Sequence, residues 1–330
     1  MQRTRQRSRA HWRAAAAAQF IQQGAKLVGS GYSGSSNQGR SVALSADGNT
    51  AIAGALGDSG NAGAVWVYTR SGGAWTQQTK LVGTGNSGNA QQGYSVALSA
   101  DGTIALVGAP GDNSNVGAAW VFTQSDGTWT QQAKLVGMDA VGRSDQGLSV
   151  ALSADGSTAI VGGADDDSGV GAAWVFTRSG GTWTQQTKLV GSGYSGNSAQ
   201  GCSAALSADG NTVVVGGLDD DASVGAAWVF TRSSGTWTQQ TKLVGSGYSG
   251  ISNQGASIAL SADGATAILG GYNDHNGVGA AWVFTRSGAI WTQQGFETRW
   301  QWRYGRRFAG LLSRAVRRRH HRDPWRLSGQ

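Results

Sequence analysis

The chain has 330 residues, 54 of them glycine and two proline, with a single cysteine and a formal net charge of +7. One cysteine excludes an intrachain disulfide and leaves the redox compartment open. No stretch reaches the roughly 20 apolar residues that a membrane-crossing helix requires. The charge is unevenly placed. Residues 1–25 carry five arginines and no acid, and residues 295–330 carry ten arginines against Glu297 and Asp323. Between them eleven basic residues face seventeen acids, all aspartate, so the body is acidic and the basic character belongs to the ends.

In chain order, residues 1–25 form an Arg/Ala-rich flank expected to be disordered. Its apolar block, Ala14–Ala18, is shorter than the roughly 7–15 residues of a signal-peptide core, so no signal peptide is read there. Phe20-Ile21-Gln22-Gln23 resembles the Trp-Thr-Gln-Gln found later and is expected to end a preceding outer strand.

From Lys26 to Gln294 a 54-residue unit recurs five times, as units 26–79, 80–133, 134–187, 188–241 and 242–294. In phase are the lysines Lys26, Lys80, Lys134, Lys188 and Lys242, and the Gln-Gly pairs at Gln38, Gln92, Gln146, Gln200 and Gln254. The turn aspartates Asp47, Asp101, Asp155, Asp209 and Asp263 keep the same step. A fixed period of this size marks an array of stacked supersecondary units.

The third unit shows the reading. Leu148–Ser153 alternates and breaks at Asp155-Gly156, a hairpin signal. Thr158–Gly163 is a short apolar run, followed by the acidic loop Asp165-Asp166-Asp167. Ala172–Thr177 and Thr182–Gln186 complete four strands, the last continuing into Lys188-Leu189-Val190. Helical periodicity is absent, and runs apolar on both faces suit sheets covered on both sides. The fold class is therefore all-β, a β-propeller of five four-stranded blades.

The motifs resemble the FG-GAP repeat of integrin-α-type propellers in its bacterial form. The second unit carries the likeness best, with Gln92-Gly93, Ser95–Leu98, Asp101-Gly102, Val107-Gly108-Ala109-Pro110 and Gly117-Ala118-Ala119-Trp120-Val121-Phe122. Phe-Gly has become Gln-Gly throughout, and Gly-Ala-Pro is complete only at Gly108–Pro110. The resemblance implies a ring that usually has seven blades, so five imply a true five-bladed ring, an open partial ring or part of a longer array. It also implies a calcium loop of several aspartates before the Gly-Ala-Pro strand. Here that turn holds one aspartate per unit, too few for the six to eight oxygens calcium takes, so that loop does not carry over.

Other candidates are weighed against plainer roles. Asp165 with Asp167, and Asp219 with Asp221, lie on alternate residues and are the calcium candidates; the plainer reading is a solvated turn. Ten in-phase tryptophans read as inter-blade packing before sugar stacking. Cys202 stands where other units have Arg40, Tyr94, Leu148 and Ala256, and reads as an incidental thiol; His275 is a lone loop imidazole. Function in repeat proteins sits where units differ, which points to the loops around Tyr32, Asn86, Asp139–Arg143, Tyr194 and Tyr248 and to the aspartate loops.

The Arg-rich residues 295–330 allow contact with nucleic acid or anionic membrane, a partnerless flank, or a shifted reading frame. The last is suggested because Trp300 and Trp302, displaced by one base, give glycine codons within an Asp-Gly-Asn-Gly-like string where the repeat should continue. The expected function is a non-enzymatic binding or adhesion scaffold, extracellular or on the cell surface, taking a protein or glycan through its variable loops. The alternatives are a propeller lyase or glycosidase acting at the central channel, and a gene fragment without present function.

Overall fold

The computed structural model describes residues 21–295. Twenty strands form five separate four-stranded sheets. The first is β1 (Val42–Leu44), β2 (Thr50–Ala55), β3 (Ala64–Ser71) and β4 (Ala74–Leu81). The second is β5 (Ser95–Leu98), β6 (Ile104–Ala109), β7 (Ala118–Ser125) and β8 (Thr128–Leu135), and the third β9 (Ser149–Leu152), β10 (Thr158–Gly163), β11 (Ala172–Ser179) and β12 (Thr182–Leu189). The fourth is β13 (Gln200–Leu206), β14 (Thr212–Gly217), β15 (Ala226–Ser233) and β16 (Thr236–Leu243), and the fifth β17 (Ser257–Leu260), β18 (Thr266–Gly271), β19 (Ala280–Ser287) and β20 (Ile290–Gln294). Within each sheet the strands follow sequence order and pair antiparallel. These are the repeated blades of a propeller-like fold.

The lysines that open the second to fifth units in the sequence, Lys80, Lys134, Lys188 and Lys242, close the preceding blade in space. Trp174 pairs with Lys188 and Ala173 with Leu189, so the outer strand runs past the Gln-Gln pair into Lys-Leu. At the amino end the expected outer strand is not formed: Ile21–Gln23 carry no strand, and Phe20 lies outside the described residues. The described residues contain no β3-type strand beside that segment for it to pair with. The reading-frame and nucleic-acid expectations for 295–330 fall almost wholly outside the described residues.

Core packing lies between blades rather than inside one. Ile52, Val65 and Val67 of the first blade pack with Ala105, Val107, Trp120 and Phe122 of the second, and equivalent clusters join the second to third, third to fourth and fourth to fifth. The tryptophans divide as two kinds. Trp66, Trp120, Trp174, Trp228 and Trp282 are fully buried, while Trp75, Trp129, Trp183, Trp237 and Trp291 are half-buried. Burial of each large ring stabilises by roughly 1.5–3 kcal/mol or more. No cluster among the described residues joins the fifth blade to the first, and Val42 and Leu44 on the first blade are 71% and 57% exposed. The array is open there.

The Gln-Gly pair has a defined task. Gln146 is buried, its Oε1 accepting from Gly137 N at 2.6 Å and its Nε2 donating to Gly137 O at 3.4 Å. Gln92, Gln200 and Gln254 do the same for Gly83, Gly191 and Gly245. That glycine must be bare, because a Cβ on Gly137 would lie 2.2 Å from the Trp174 ring. Replacing the amide leaves a buried N–H and C=O unpaired, at about 1–3 kcal/mol for an unsatisfied group. Gln146→Leu is therefore expected to lower the urea midpoint by an amount equivalent to about 2 kcal/mol or more. Gln240→Leu, which removes an exposed amide bonded only to Thr238, should stay within about 0.5 kcal/mol of the parent.

Candidate functional site

Antiparallel order fixes which loops meet. The turns between first and second strands and between third and fourth lie at one end of every blade. The aspartate loops between second and third strands, and the connections to the next blade, lie at the other. The inter-blade loops named from sequence as variable thus share one face with the aspartate loops.

On the opposite face the single turn aspartates are consumed by their own turns. Asp101 Oδ1 accepts from Ser99 Oγ at 2.5 Å and Thr103 N at 3.0 Å. Partial burial pushes its carboxyl up, but these hydrogen bonds outweigh it and leave the acid below its usual range. Asp47 and Asp263 are lowered chiefly by Ser45 and Ser261. These are locked turns with their lone pairs engaged.

On the loop face one aspartate per unit turns inward. Asp58, Asp112, Asp166, Asp220 and Asp274 are buried, at the start of a four-residue turn that includes left-handed residues such as Asp167 (φ 49°) and Ser168 (φ 60°). Asp166 Oδ1 accepts from Val141 N at 2.8 Å, and Oδ2 pairs with Lys188 Nζ at 2.5 Å. Lys188 also donates to Asp139 O at 3.0 Å and lies 5.4 Å from the centre of the Trp174 ring. The same links join Lys80 to Asp58, Lys134 to Asp112 and Lys242 to Asp220. Each ties the outer strand, the aspartate loop and the incoming connection into one unit. Sequence reading missed this set, although the five buried aspartates keep the 54-residue step and each paired lysine follows its acid by 22 residues.

The calcium candidates flank these buried acids. Asp165, Asp167, Asp219 and Asp221 are exposed, each adjoining the inward Asp166 or Asp220. Among the described residues no three acidic, histidine or cysteine side chains come together as a metal-ligand group. The structure instead parts the four: Asp165 and Asp219 line a common cleft between the third and fourth blades, and Asp167 and Asp221 do not.

That cleft has a volume of about 580 Å³, with Arg143, Ser168 and Asn197 also on its wall. The position of Asp165 is Gly57, Gly111, Asp219 and Asn273 in the other units, so carboxylates flank a junction from both blades only here. Arg143 Nη2 lies 3.8 Å from both Asp145 and Asp165. Burial, and then the charge of Asp165, push the Asp145 carboxyl up, against the pull of Arg143. Asp139, the other acid of this loop, is raised by burial but lowered overall by hydrogen bonds from Gln185 and from Trp174 Nε1. The loop named from sequence, Asp139–Arg143, therefore holds one structural acid and one cleft-facing base. Tyr32, Tyr194 and Tyr248 are exposed on the same face. Cys202 is half-buried, and burial pushes its thiol up to about 11, which suits an unreactive side chain.

Two outcomes are expected from these charges. Lys188→Met strands the Asp166 carboxylate and should cost about 3–5 kcal/mol, with much of it recovered in the Asp166→Asn/Lys188→Met double variant, by urea denaturation. The pH dependence has two signs. Asp58, Asp101, Asp155 and Asp209 sit below the usual value of 3.8, so their contribution is fully present above it and is lost as pH falls below about 4. Asp145 sits above 3.8, so ionising it costs stability as pH rises. Asp145→Asn should raise the urea midpoint at pH 7 and leave it little changed at pH 3.

The FG-GAP repeat family model matches residues 75–122, from the outer strand of the first blade across the first junction to Phe122 of the second. This segment is similar to an FG-GAP repeat and lies within the array of five blades. A search of curated proteins found no match.

Proposed function

We propose that this chain is a non-enzymatic binding scaffold of extracellular or cell-surface type, which holds a cationic group of a protein or glycan ligand at the cleft between the third and fourth blades. One observation carries the reading. Units otherwise alike place carboxylates on both walls of one junction, at Asp165 and Asp219, with Asn197 and Ser168 as hydrogen-bonding neighbours. Both are exposed on the cleft wall, Asp165 with Arg143 3.8 Å away and Asp219 accepting from Ser223 Oγ at 3.3 Å. The FG-GAP repeat adds support by analogy of fold alone. Calcium is one cation that such a wall can take, with water and backbone oxygens completing its shell.

The purified chain should retain lysine- or arginine-bearing peptides, or amino sugars, on peptide and glycan arrays. Asp165→Asn/Asp219→Asn should weaken that retention at least about tenfold, the equivalent of about 1.4 kcal/mol. Parallel calorimetry with calcium chloride tests the metal. Equal retention by parent and double variant, with no calcium heat from either, would remove the cleft as the site. Asp145 supports a second reading, because its carboxyl, pushed up by burial and by neighbouring Asp165, is of the kind used for general acid catalysis. Conversion of an arrayed glycan, lost in Asp145→Asn, would establish a glycosidase or lyase instead.

A further inference from the structure

Four junctions between blades are built from the same groups, and the two outer faces carry the two unfilled halves of a fifth. At the first junction the Gln-Gly turn of the second blade seats on Gly54, where a Cβ would lie 2.0 Å from Gly93 O. Ser41 Oγ donates to Gly93 O at 3.0 Å, Gln92 N to Ala62 O at 3.0 Å, and Ala46 N to Ala100 O at 2.8 Å. The fourth junction repeats each: Ser203 Oγ to Gly255 O at 2.6 Å, Gln254 N to Val224 O at 2.9 Å, and Ala208 N to Ala262 O at 2.9 Å.

On the fifth blade the seat is empty. A Cβ on Gly270 would meet only Ser257 of its own blade, and a cavity of about 400 Å³ is bounded by Ser257, Gly270, Gly279 and Ala280. These are the equivalents of Ser203, Gly216, Gly225 and Ala226, which hold Gly255 in the fourth blade. On the first blade the plug is free. A Cβ on Gly39 meets nothing within 4 Å, and Val42 and Leu44 border an apolar groove of about 420 Å³ with Ala53 and Tyr68.

The polar groups match in sense. Among the described residues Ser257 Oγ and Ala262 N on the fifth blade have no acceptor, and Val278 O has no donor. The first blade offers the counterparts: Gly39 O and Ala46 O without donors, and Gln38 N without an acceptor. The apolar surfaces match as well. Ile268 (42% exposed), Ala281 and Val283 stand where Ile160, Ala173 and Val175 pack on the fourth blade. The exposed Val42 and Leu44 stand where Val96 and Leu98 receive the first, over the buried Trp66 and Tyr68.

We propose that a second copy of this chain docks head to tail, its first blade on the fifth blade of its neighbour, forming a fifth junction of the kind already present four times. A second copy is the occupant because this chain itself presents both halves, group for group. The contact is heterologous, so the product is a ring or a helical chain according to the rotation it imposes. The inference rests on the blade faces and is independent of the cleft.

Sedimentation velocity on the full chain over a concentration series tests it. The parent should shift from 33.9 kDa toward multiples of that mass as concentration rises. Leu44→Glu spoils one face and Ile268→Glu the other, and each variant alone should remain monomeric with an unchanged far-ultraviolet spectrum. An equimolar mixture of the two keeps one good pair of faces and should form a 1:1 dimer and nothing larger. A parent that stays monomeric, assembly that survives either substitution, or a mixture that does not pair would overturn the proposal.

Discussion

The close approach of one backbone to the next across glycine is the constraint on which the structure depends. Gly93, Gly147, Gly201 and Gly255 hold φ between 82° and 88° and press a carbonyl onto Gly54, Gly108, Gly162 and Gly216. No side chain fits at either position, since the contact distances for an added Cβ are 2.0–2.3 Å on the receiving glycine. The buried glutamine beside each turn then satisfies the backbone of the incoming connection, and the glycine there lets the tryptophan ring lie flat against the chain. Apolar packing supplies the driving force, but glycine and glutamine set the spacing at which it operates.

Charge is arranged around that frame in two ways. Four inward aspartates, Asp58, Asp112, Asp166 and Asp220, pair with lysine ammonium groups resting on tryptophan faces, so a buried anion and a large ring share one cation. The first-turn aspartates are spent in their own turns, while in the third and fourth blades Asp165 and Asp219 line one cleft and Asp167 and Asp221 face solvent away from it. The acidic body and the basic ends therefore answer to different physics, and the net charge of the chain describes neither.

Much of this was legible in the sequence. Thr158–Gly163 was read as a strand with its observed limits, and the period gave the number of blades. In the aspartate triplets the alternate residues singled out by the sequence are exposed, and the middle one is buried. Nothing local distinguishes Asp166 from Asp165, because the distinction comes from a lysine 22 residues later. Gln-Gly departs from the Phe-Gly of the resembling family, and its amide has partners that a phenyl ring lacks. Asp145 carries no local sequence signal, because its environment is made by burial within the folded junction and by the charge of Asp165.

The hydrogen bonds that join neighbouring blades run largely between backbone atoms, as in the step from Ala46 to Ala100 to Ala154 to Ala208 to Ala262. Backbone groups carry no record of position, so no blade knows its rank in the array. A gene that gained or lost one 54-residue unit by unequal recombination would leave every remaining junction intact. The number of blades is then an inheritance of the gene, while the packing specifies only what stands next to what.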